Sequence, residues 1–299
     1  MAAKAQLDSP RLSHPEKVFW PDDGYTKLDL ANYYREVFPA LQPYVKDRIL
    51  TLERCPDGML GECFYQKQKP QGLPRDTPTK KIATAHGKRA TTEYVVGGSL
   101  TTQLALVNLG CIPVHVCGSR AQHFPKPDWI CFDLDPTSGK FGDAANACLL
   151  IKEVLEALEL RAFPKTSGSR GLHIFVPLKV GPSSDEVLAF ATTLAERLSG
   201  AYPKELTTEH SLSARGNRVY IDVARNGKVQ TVVSPYSVRR KPHAPVSTPL
   251  SWSEVKPFLD PSSFNLGNFR ARVKRADPWS DFFSSRQSLK AATPRLKTI

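Results

Sequence analysis

The sequence runs Trp129-Ile-Cys-Phe-Asp-Leu-Asp-Pro136 near its middle, with apolar and aromatic residues leading to two carboxylates spaced i, i+2. Residues two apart in a β-strand point to the same face, so Asp133 and Asp135 are predicted to project together from the end of a buried strand. Carboxylates this close repel each other unless a cation lies between them. Hard divalent ions such as Mg²⁺ and Mn²⁺ take oxygen ligands of this kind. A helix cap or an acidic turn before Pro136 is the alternative that this stretch alone leaves open.

Two further polar stretches interrupt apolar runs downstream. The first, Lys165-Thr-Ser-Gly-Ser-Arg-Gly-Leu-His173, carries many hydrogen-bond donors. Such donors suit phosphate oxygens, although a plain hairpin turn would have a similar composition. The second stretch, residues 218–226, reads as a strand with one carboxylate, Asp222, in an apolar run. A buried carboxylate without a partner is costly, so Asp222 is predicted to pair with an arginine or a metal ion.

The order of elements predicts how these stretches meet. Apolar residues recur at the helical period in residues 143–160 and again in a second helix that Ser184 is predicted to cap and Gly200 to end. Residues 161–166, 172–178 and 218–223 read as strands. With the strand at 129–135 the order is β-α-β-β-α-β, the split βαβ or ferredoxin-like unit. Its first strand lies between the third and the fourth.

That topology predicts that the aspartates at 133, 135 and 222 lie on one sheet face beside His173. Three carboxylates next to a donor-rich loop fit a two-metal site for in-line phosphoryl transfer. The alternatives are a metal-dependent nuclease or phosphoesterase, which would not need the triphosphate loop, and a non-catalytic RRM-like nucleic-acid-binding module. The latter class exposes aromatic and basic residues on its sheet, whereas this sheet would expose carboxylates.

Three blocks resemble the signature motifs of the archaeo-eukaryotic primase superfamily: Phe132-Asp-Leu-Asp-Pro136, Thr166-Ser-Gly-Ser-Arg-Gly-Leu-His173 and Tyr220-Ile-Asp222. The closer resemblance is to the polymerase domain of bacterial ligase D and its stand-alone relatives. Similar blocks at residues 13–21, 25–27, 63–67 and 234–239 extend it over roughly residues 10–260.

The resemblance implies an α+β fold, a primase-polymerase core with an RRM/ferredoxin-like sheet plus a smaller N-terminal α/β module. We assign residues 1–128 to that module, with contacts to the DNA 5′-phosphate and the template. Residues 129–265 are assigned to a palm-like catalytic core and residues 266–299 to a basic C-terminal extension. All three parts are expected to form one polymerase domain.

The implied activity is that of a template-dependent DNA/RNA polymerase, a nucleotidyltransferase that fills short gaps or extends 3′ ends at DNA breaks in bacterial repair. The pathway would be end joining or excision-repair gap filling. The implied cofactors are two Mn²⁺ or Mg²⁺ ions, and the implied nucleotide preference is for ribonucleotides. The implied partners are gapped or broken double-stranded DNA with a 5′-phosphate, NTP or dNTP, a DNA ligase and an end-binding protein.

The resemblance also implies roles for single residues. The catalytic carboxylates and metal ligands would be Asp133, Asp135 and Asp222. The nucleotide-binding residues would be Ser167, Ser169, Arg170, His173, His115, Arg215 and Arg239. The DNA 5′-phosphate would be bound by Lys17 and Lys27. The template would stack on Phe64 and Tyr65.

The chain departs from the family pattern at three positions. Glu53 stands before Arg54 where a basic residue is frequent, Arg170 stands where lysine is frequent, and His14 takes a place often held by asparagine. The first departure weakens the expectation that this segment grips the template or the triphosphate. The second keeps the charge but changes its geometry.

Composition agrees with a polyanionic partner. The formal net charge is +12 and the pI is about 9.4. Basic residues cluster twice, at Lys67, Lys69, Arg75, Lys80, Lys81, Lys88 and Arg89, and again at Arg270, Arg272, Lys274 and Arg275. The first cluster would be a basic loop that tracks a phosphate backbone or is simply solvated.

The six cysteines show no C-x-x-C spacing, so no zinc site is expected, and several lie in apolar runs as predicted buried free thiols. The sequence shows neither an apolar signal segment nor an apolar run long enough to span a membrane. We therefore expect a bacterial cytoplasmic protein, associated with the nucleoid and not with a membrane.

Overall fold

The computed structural model describes residues 11–84 and 90–297, so Lys88 and Arg89 of the predicted basic loop lie outside the described residues. The strands are β1 (Val18–Trp20), β2 (Tyr25–Thr26), β3 (Arg48–Arg54), β4 (Phe64–Gln66), β5 (Thr79–Ala83), β6 (Thr91–Val95), β7 (Cys111–Arg120), β8 (Trp129–Pro136), β9 (Phe163–Thr166), β10 (Leu172–Pro177), β11 (Leu206–Thr207), β12 (Val219–Asp222) and β13 (Thr231–Val233). The helices are α1 (Lys27–Val45), α2 (Leu100–Asn108), α3 (Phe141–Ala157), α4 (Ser184–Ala201), α5 (Leu212–Arg215), α6 (Phe269–Val273) and α7 (Leu289–Leu296).

The chain divides into two compact units. The first unit comprises residues 1–117, 233–246 and 264–275, and the second comprises residues 118–232, 247–263 and 276–299. The functional boundaries proposed near residues 128 and 265 stay a prediction.

The second unit contains the predicted β-α-β-β-α-β order. Its sheet has the strand order β11-β12-β8-β10-β9, so β8 lies between β12 and β10 and is antiparallel to both. The interior of β8 is apolar up to Phe132, and Ile130, Cys131 and Phe132 are buried. The short elements β11 and α5, which precede β12, were not predicted. Their lengths, two and four residues, are too short for a periodic pattern to identify.

A capping box, which is a short local sequence pattern, determines where helix α4 begins. Its N-cap is Ser183, whose side chain accepts a hydrogen bond from the Glu186 amide, while the Glu186 carboxylate accepts from the Ser183 amide at 2.7 Å. The predicted cap, Ser184, is instead the first helical residue. Ser183 is the serine with a glutamate three positions later, which is the spacing that a capping box requires.

Aromatic side chains from the last part of the chain complete the core of the second unit. Trp279 and Phe282 are buried and stack with ring centroids 5.0 Å apart. The indole of Trp279 donates to the Pro164 carbonyl at 3.0 Å, and Phe282 packs edge-on against Phe163 of β9. Residues beyond 275 therefore contribute core packing as well as positive charge.

In the first unit, the strands β7, β3 and β4 are neighbours in that order within one sheet. Helix α1 begins with a capping box between Thr26 and Asp29. The apolar residues Leu104, Ala105, Leu106 and Val107 belong to α2, which Ser99 caps. No helix in the described part of the chain is both long and apolar enough to cross a membrane.

The cysteines behave in two ways. Cys111, Cys117, Cys131 and Cys148 are free and buried, as expected for thiols in apolar runs. Cys55 and Cys63 form a disulfide with 4.4 Å between their Cα atoms, which the sequence pattern did not predict. The pairing depends on the loop after β3 turning back on itself, and spacing alone does not show this.

Candidate active site

The candidate site of the second unit is built on a row of side chains that crosses its sheet. Asp133 of β8 lies opposite Asp222 of β12 on one side and opposite His173 of β10 on the other. His173 in turn lies opposite Lys165 of β9. The Nε2 atom of His173 is 3.1 Å from Oδ1 of Asp133. The register confirms that Asp133, Asp222 and His173 are neighbours, as the topology predicted.

Arg225 is the cationic partner of Asp222. It lies on the 3₁₀ turn Ala224–Asn226 directly after β12, with its Nη2 3.2 Å from Oδ2 of Asp222 and its Nε 3.6 Å from Oδ2 of Asp133. Asn226 fastens this turn to β8, because its side chain accepts from the Cys131 amide and donates to the Cys131 carbonyl, each at 2.8 Å. The sequence analysis did not select Arg225, although an arginine three residues after Asp222 can reach that carboxylate where the chain turns.

Asp135 differs from its two neighbours. It is exposed, lies opposite Tyr220, and forms no hydrogen bond or ion pair with any residue in the described ranges. Although its side chain reaches the surface, the surrounding protein partly desolvates this carboxyl and raises the pKa of Asp135, and the negative charges of Asp133 and Asp222 raise it further. Burial would also raise the pKa of Asp133, but His173 and Arg225 lower it more, so it lies below its ordinary value. Such a split is the expected behaviour of carboxylates that share too few cations.

These carboxylates fit a divalent ion by their chemistry. As the side chains stand in residues 11–84 and 90–297, no three His, Cys, Asp or Glu groups form a metal-binding cluster, and Arg225 takes the position between Asp133 and Asp222. Desolvation first and the charges of Asp133 and Asp222 second raise the pKa of Asp135, so the fold disfavours its ionised form where no further cation is bound. Carboxylate oxygens in such an arrangement suit Mg²⁺ or Mn²⁺.

The polar loop between β9 and β10 lies beside the end of β8. The hydroxyl of Ser167 accepts hydrogen bonds from the amides of Ser169 and Gly171, both at 3.2 Å. A Cβ atom at Gly171 would lie 2.2 Å from the Leu134 carbonyl oxygen, so only glycine allows this approach. Ser167 is buried, Ser169 is half-buried and Arg170 is exposed. The loop therefore presents the last two side chains at its surface.

Lys165 is a second cation that sequence reasoning did not select. Its side chain is fully buried, and its ammonium donates to the Ser247 hydroxyl, which donates onward to the Thr166 carbonyl at 2.8 Å. The same ammonium lies 5.6 Å from the centroid of the Phe175 ring. Its charge lowers the pKa of Asp133. Burying an ammonium is costly, so this lysine belongs to the charge balance of the row.

Arg215 is held beside β12 by its own backbone neighbours. Its guanidinium donates to the carbonyls of Glu209 and His210 and lies 3.7 Å from the centroid of the Tyr220 ring. The Tyr220 hydroxyl is 3.0 Å from Nδ1 of His210. Because Tyr220 lies opposite Asp135, the structure brings Arg215 to the carboxylate cluster, where its charge lowers the pKa of Asp135.

In the first unit the predicted phosphate-binding lysines are close together. The amide of Lys27 donates to the carbonyl of Lys17 at 2.8 Å. The ammonium of Lys27 is largely buried and donates to the carbonyls of Ser13 and Asn108, whereas Lys17 pairs with Asp57. Burial lowers the pKa of Lys27, and the charge of Lys17 lowers it further. The charge of Lys17 therefore acts on the Lys27 ammonium, and an anion beside both lysines would relieve this repulsion.

The other predicted residues of the first unit lie on the sheet β7-β3-β4 or on the chain after residue 233. Phe64 and Tyr65 of β4 are 43% and 66% exposed, so both rings are available for stacking. The Nε2 atom of His115 on β7 is 3.7 Å from Oε2 of Glu53. The Nε atom of Arg240, the neighbour of Arg239, is 2.7 Å from Oε1 of the same carboxylate. The structure thus brings His115 and Tyr65 together around Glu53, a residue that the sequence marked only as a departure.

Comparison with known proteins agrees with this arrangement. Residues 26–279 match the family described as LigD, primase-polymerase domain. This chain belongs to that family. A solved relative, the polymerase domain from Mycobacterium tuberculosis ligase D in complex with DNA, superposes with a TM-score of 0.86 at 28% identity, covering 94% of this chain and 100% of the relative.

Two curated relatives of this LigD-type domain are longer proteins. The multifunctional non-homologous end joining protein LigD of Pseudomonas aeruginosa is 30% identical over 98% of this chain and 35% of its own length. The bifunctional non-homologous end joining protein LigD of Bacillus subtilis is 30% identical over 91% of this chain and 44% of its own length. The chain therefore spans about a third to less than half of these relatives.

Membership confirms three expectations: the primase superfamily, the α+β fold, and the class of enzyme, a nucleotidyltransferase of the primase-polymerase type. Enzymes of this type generally need divalent metal ions. The roles of single residues were assigned from the resemblance and stay predictions.

Proposed function

We propose that this chain is a template-dependent polymerase that fills short gaps or extends 3′ ends at DNA breaks in bacterial DNA repair. The observation that carries the proposal is the register that places Asp222, Asp133 and His173 side by side, with Asp135 two residues further along β8 and the serine-glycine loop at the end of the same strand. A LigD-type domain needs such a carboxylate set to bring a nucleoside triphosphate and a 3′ hydroxyl together.

Within the second unit, we assign the two Mn²⁺ or Mg²⁺ ions to three carboxylates. Asp133 and Asp135 would hold both ions, and Asp222 would complete the ligands of the catalytic one. Bound ions would lower the pKa of the attacking hydroxyl and neutralise charge on the triphosphate. Arg225 contacts Asp133 and Asp222, so it would have to yield part of this space when an ion binds.

The residues proposed to bind the nucleotide carry hydrogen-bond donors that the fold already holds in place. Ser167 is locked by the loop amides, and Ser169 and Arg170 lie at the loop surface, where they would reach triphosphate oxygens. Arg215 is held by two backbone carbonyls and would add positive charge to the same ligand. The remaining proposed contacts are those of His173, His115 and Arg239.

The DNA assignments rest on the first unit. The paired ammonium groups of Lys17 and Lys27 would bind the 5′-phosphate of the downstream strand, where Lys17 would exchange its partner Asp57 for the phosphate. The exposed rings of Phe64 and Tyr65 would stack on template bases, since every base presents a π-face to an aromatic side chain.

The pathway and partners are proposed from the relatives. Those relatives are named as non-homologous end joining proteins, and the solved neighbour is a complex with DNA. We propose end joining as the first pathway to test, with excision-repair gap filling as the second. The partners would be a DNA ligase and an end-binding protein, in the cytoplasm at the nucleoid, and ribonucleotides would be preferred.

The test is primer extension on a short-gapped duplex with a 5′-phosphate at the downstream edge, with Mn²⁺ or Mg²⁺ and either ribo- or deoxynucleotides. The parent should extend the primer by templated addition, and Asp133→Ala should not. Asp185→Ala removes an exposed aspartate from the start of α4 and should extend as the parent does. Metal-dependent cleavage in place of extension would establish the nuclease reading, and DNA binding without either reaction would establish a binding module.

Two further arms of this assay test the finer assignments. Omitting the 5′-phosphate should weaken DNA binding by the parent more than binding by Lys17→Ala, since that variant has already lost one of the two proposed contacts. Supplying both kinds of nucleotide at equal concentration should give mainly ribonucleotide products. A clear excess of deoxynucleotide products would contradict the proposed preference.

A further inference from the structure

A disulfide closes the loop that joins β3 to β4 in the first unit. Its cysteines, Cys55 and Cys63, are the next positions after Arg54 and Phe64, which lie opposite each other in the antiparallel register. Their Cα atoms are 4.4 Å apart, near the separation of about 4.5 Å for a strand pair without mutual backbone hydrogen bonds. The Sγ of Cys63 also lies 3.5 Å from the Gly61 carbonyl oxygen, so a thiol there has an acceptor. The register therefore keeps the two sulfur atoms close even when they are not bonded, and the bond can form again after it breaks.

The two sides of this bond are held unequally. Cys55 is fully buried, and its amide donates to the Gly110 carbonyl at 2.8 Å. Cys63 is half-buried and directly precedes Phe64, the first residue of β4. That strand has three residues and pairs with β3 at the edge of the sheet. The disulfide therefore fastens the beginning of a short edge strand to a residue that is anchored elsewhere.

The loop inside the disulfide packs on β1. A Cβ atom at Gly58 would lie 2.9 Å from the Cα of Phe19, and the amide of Met59 donates to the Phe19 carbonyl at 2.9 Å. Asp57 of the same loop pairs with Lys17. These contacts hold the middle of the loop whether or not the disulfide is present. Breaking the disulfide is therefore expected to loosen mainly β4.

The strand β4 carries both rings that are proposed to stack on the template. The guanidinium of Arg54 lies 5.4 Å from the centroid of the Phe64 ring, and the Tyr65 hydroxyl lies 3.4 Å from the Glu53 carboxylate. Arg54 and Glu53 both belong to β3, so these contacts depend on the pairing of β4 with β3. Rings that are held in place before binding reduce the ordering cost of stacking. A covalent bond at the start of β4 should therefore affect how tightly a template binds.

We propose that Cys55 and Cys63 form a reversible redox switch that controls template binding. The bonded form holds Phe64 and Tyr65 in the orientation for stacking, and the dithiol form leaves β4 without its covalent tie to the end of β3. This inference rests on the proposed function and adds regulation to its template contacts. In the proposed cytoplasmic location thiols keep most disulfides reduced, so the bonded form would accumulate when an oxidant is present.

The bond opens with a thiol as co-reactant. A thiolate attacks the half-buried Sγ of Cys63, the S–S bond breaks, and the sulfur of Cys55 leaves with the electron pair and takes up a proton. A second thiol then displaces Cys63 from the mixed disulfide. Two external thiols are thereby oxidised to one disulfide, and the protein disulfide is reduced to two thiols.

The bond closes with a peroxide as co-reactant. Hydrogen peroxide oxidises the Cys63 thiol to a sulfenic acid and is reduced to water. The Cys55 sulfur then attacks the sulfenic sulfur, a second water leaves, and the disulfide forms. The two protein thiols together supply the two electrons and two protons that reduce one peroxide to two waters.

The first test determines whether the bond forms and opens in the full chain. The parent is treated with hydrogen peroxide or with dithiothreitol, its free thiols are alkylated, and its peptides are mapped without reduction. We expect a cross-link between Cys55 and Cys63 after peroxide and two alkylated cysteines after dithiothreitol. No cross-link after peroxide, or a cross-link that dithiothreitol does not open in the folded protein, would overturn the proposal.

The second test compares how the two forms bind a gapped duplex with a 5′-phosphate in the absence of nucleotide. The oxidised parent should bind about fivefold more tightly than the reduced parent, because its rings are ordered in advance. Cys63→Ala should bind like the reduced parent under both conditions. Cys148→Ala removes a buried free thiol from α3 and should respond as the parent does. Equal affinities of the oxidised and reduced parent, which need no substitution, would overturn the proposal.

A variant and a second substrate show whether the switch acts through the template rings. In a variant that combines Phe64→Ala with Tyr65→Ala, the oxidised and reduced forms should bind equally. On a gapped duplex without the 5′-phosphate, the parent should keep its redox response, since Lys17 is not needed for it. A response that persists without the rings, or that disappears without the phosphate, would contradict control through template stacking.

Failure of this inference is distinguishable from failure of the proposed function. If the parent extends primers, Asp133→Ala does not, and both redox forms bind gapped DNA equally, the polymerase stands and the switch falls. If neither redox form extends a primer under any metal and nucleotide condition, the proposed function falls. Peptide mapping and DNA binding then still decide whether Cys55 and Cys63 control the affinity for DNA.

Discussion

Both units contain carboxylates near cationic side chains, and the units differ in how directly those cations contact each carboxylate. In the first unit, the single carboxylate of Glu53 has both Arg240 and His115. In the second unit, Asp133 and Asp222 share Arg225 and His173 contacts Asp133, whereas Asp135 forms no hydrogen bond or ion pair within the described residues and only feels the charge of Arg215. The pKa of Glu53 is accordingly lowered to about 2, whereas the pKa of Asp135 is raised.

Glu53 is thus a carboxylate whose ionised form the fold favours, whereas the fold disfavours the ionised form of Asp135. A carboxylate of the first kind can contribute stability. A carboxylate of the second kind gains stability when a further cation binds. We therefore propose that the carboxylate of the first unit is a structural support and that the carboxylates of the second unit are metal ligands.

The substitution with the largest expected effect is at Asp135. Asp135→Asn should reduce primer extension by roughly 10³-fold, since a lost ion contact removes several kcal/mol of stabilisation of the transition state. Because folding raises the pKa of Asp135, its ionised form opposes folding near neutral pH. The same variant should therefore melt about 2 °C or more above the ion-free parent. A melting temperature below that of the ion-free parent would show that ionised Asp135 does not oppose folding.

The opposite effect on stability is expected at Glu53. Its pKa falls on folding from 4.5 to about 2, so the ionised carboxylate stabilises the fold above a pH of about 4.5, and this contribution is lost as the pH falls toward about 2. Glu53→Gln should unfold more easily than the parent by roughly 1–3 kcal/mol near neutral pH, allowing for solvent screening. Urea unfolding across this pH range should show the difference shrinking on the acid side. A constant difference would count against the ion pairs.

Arg225 tests whether the second cluster needs a cation in the absence of metal. Arg225→Ala should destabilise the ion-free protein by about 1 kcal/mol, because Asp133 and Asp222 then repel each other without a bridge. Adding Mn²⁺ should raise the melting temperature of the variant more than that of the parent. Lys179→Ala, which removes an exposed cation from the same unit, should respond to Mn²⁺ as the parent does. An equal response in Arg225→Ala would show that the arginine does not substitute for an ion.

The smallest effect is expected at the tyrosine hydroxyl. Tyr65→Phe keeps the exposed ring and loses only the contact of 3.4 Å to Glu53. Extension should change by less than about twofold, since the contact of 2.7 Å between Arg240 and Glu53 remains. Tyr65→Ala should weaken template binding more, because stacking on a base contributes about 1–3 kcal/mol. DNA-binding titrations of the two variants would separate the hydroxyl from the ring.

Most helices and strands of the second unit could be predicted from the sequence, because the patterns that indicate them involve neighbouring residues. The period of apolar residues identified α3 and α4, the alternation along β8 placed Asp133 and Asp135 on one face, and the β-α-β-β-α-β order placed β8 between β12 and β10. The cap of α4 was assigned one residue late because two serines are adjacent there. The elements β11 and α5 were missed because they are too short to show a period.

The sequence could indicate the partner of a charged group only where the two residues are close in the chain. Asp222 was predicted to need a cation, but the choice between an arginine and a metal ion stayed open until the turn after β12 brought Arg225 back to it. Lys165 meets Ser247 across 82 residues, and Glu53 meets Arg240 across 187. No periodic pattern carries information over such separations.

The fold class and the family could be predicted from the amino-acid sequence, and so could the candidate residues proposed to bind metal and phosphate, because strand alternation, helical period and motif spacing are properties of neighbouring residues. The tertiary structure was needed to show for which carboxylates the fold favours the ionised form and for which it does not. Ionisation depends on burial and on every charge within a few ångströms, and those neighbours are brought together by the packing of segments distant in the chain.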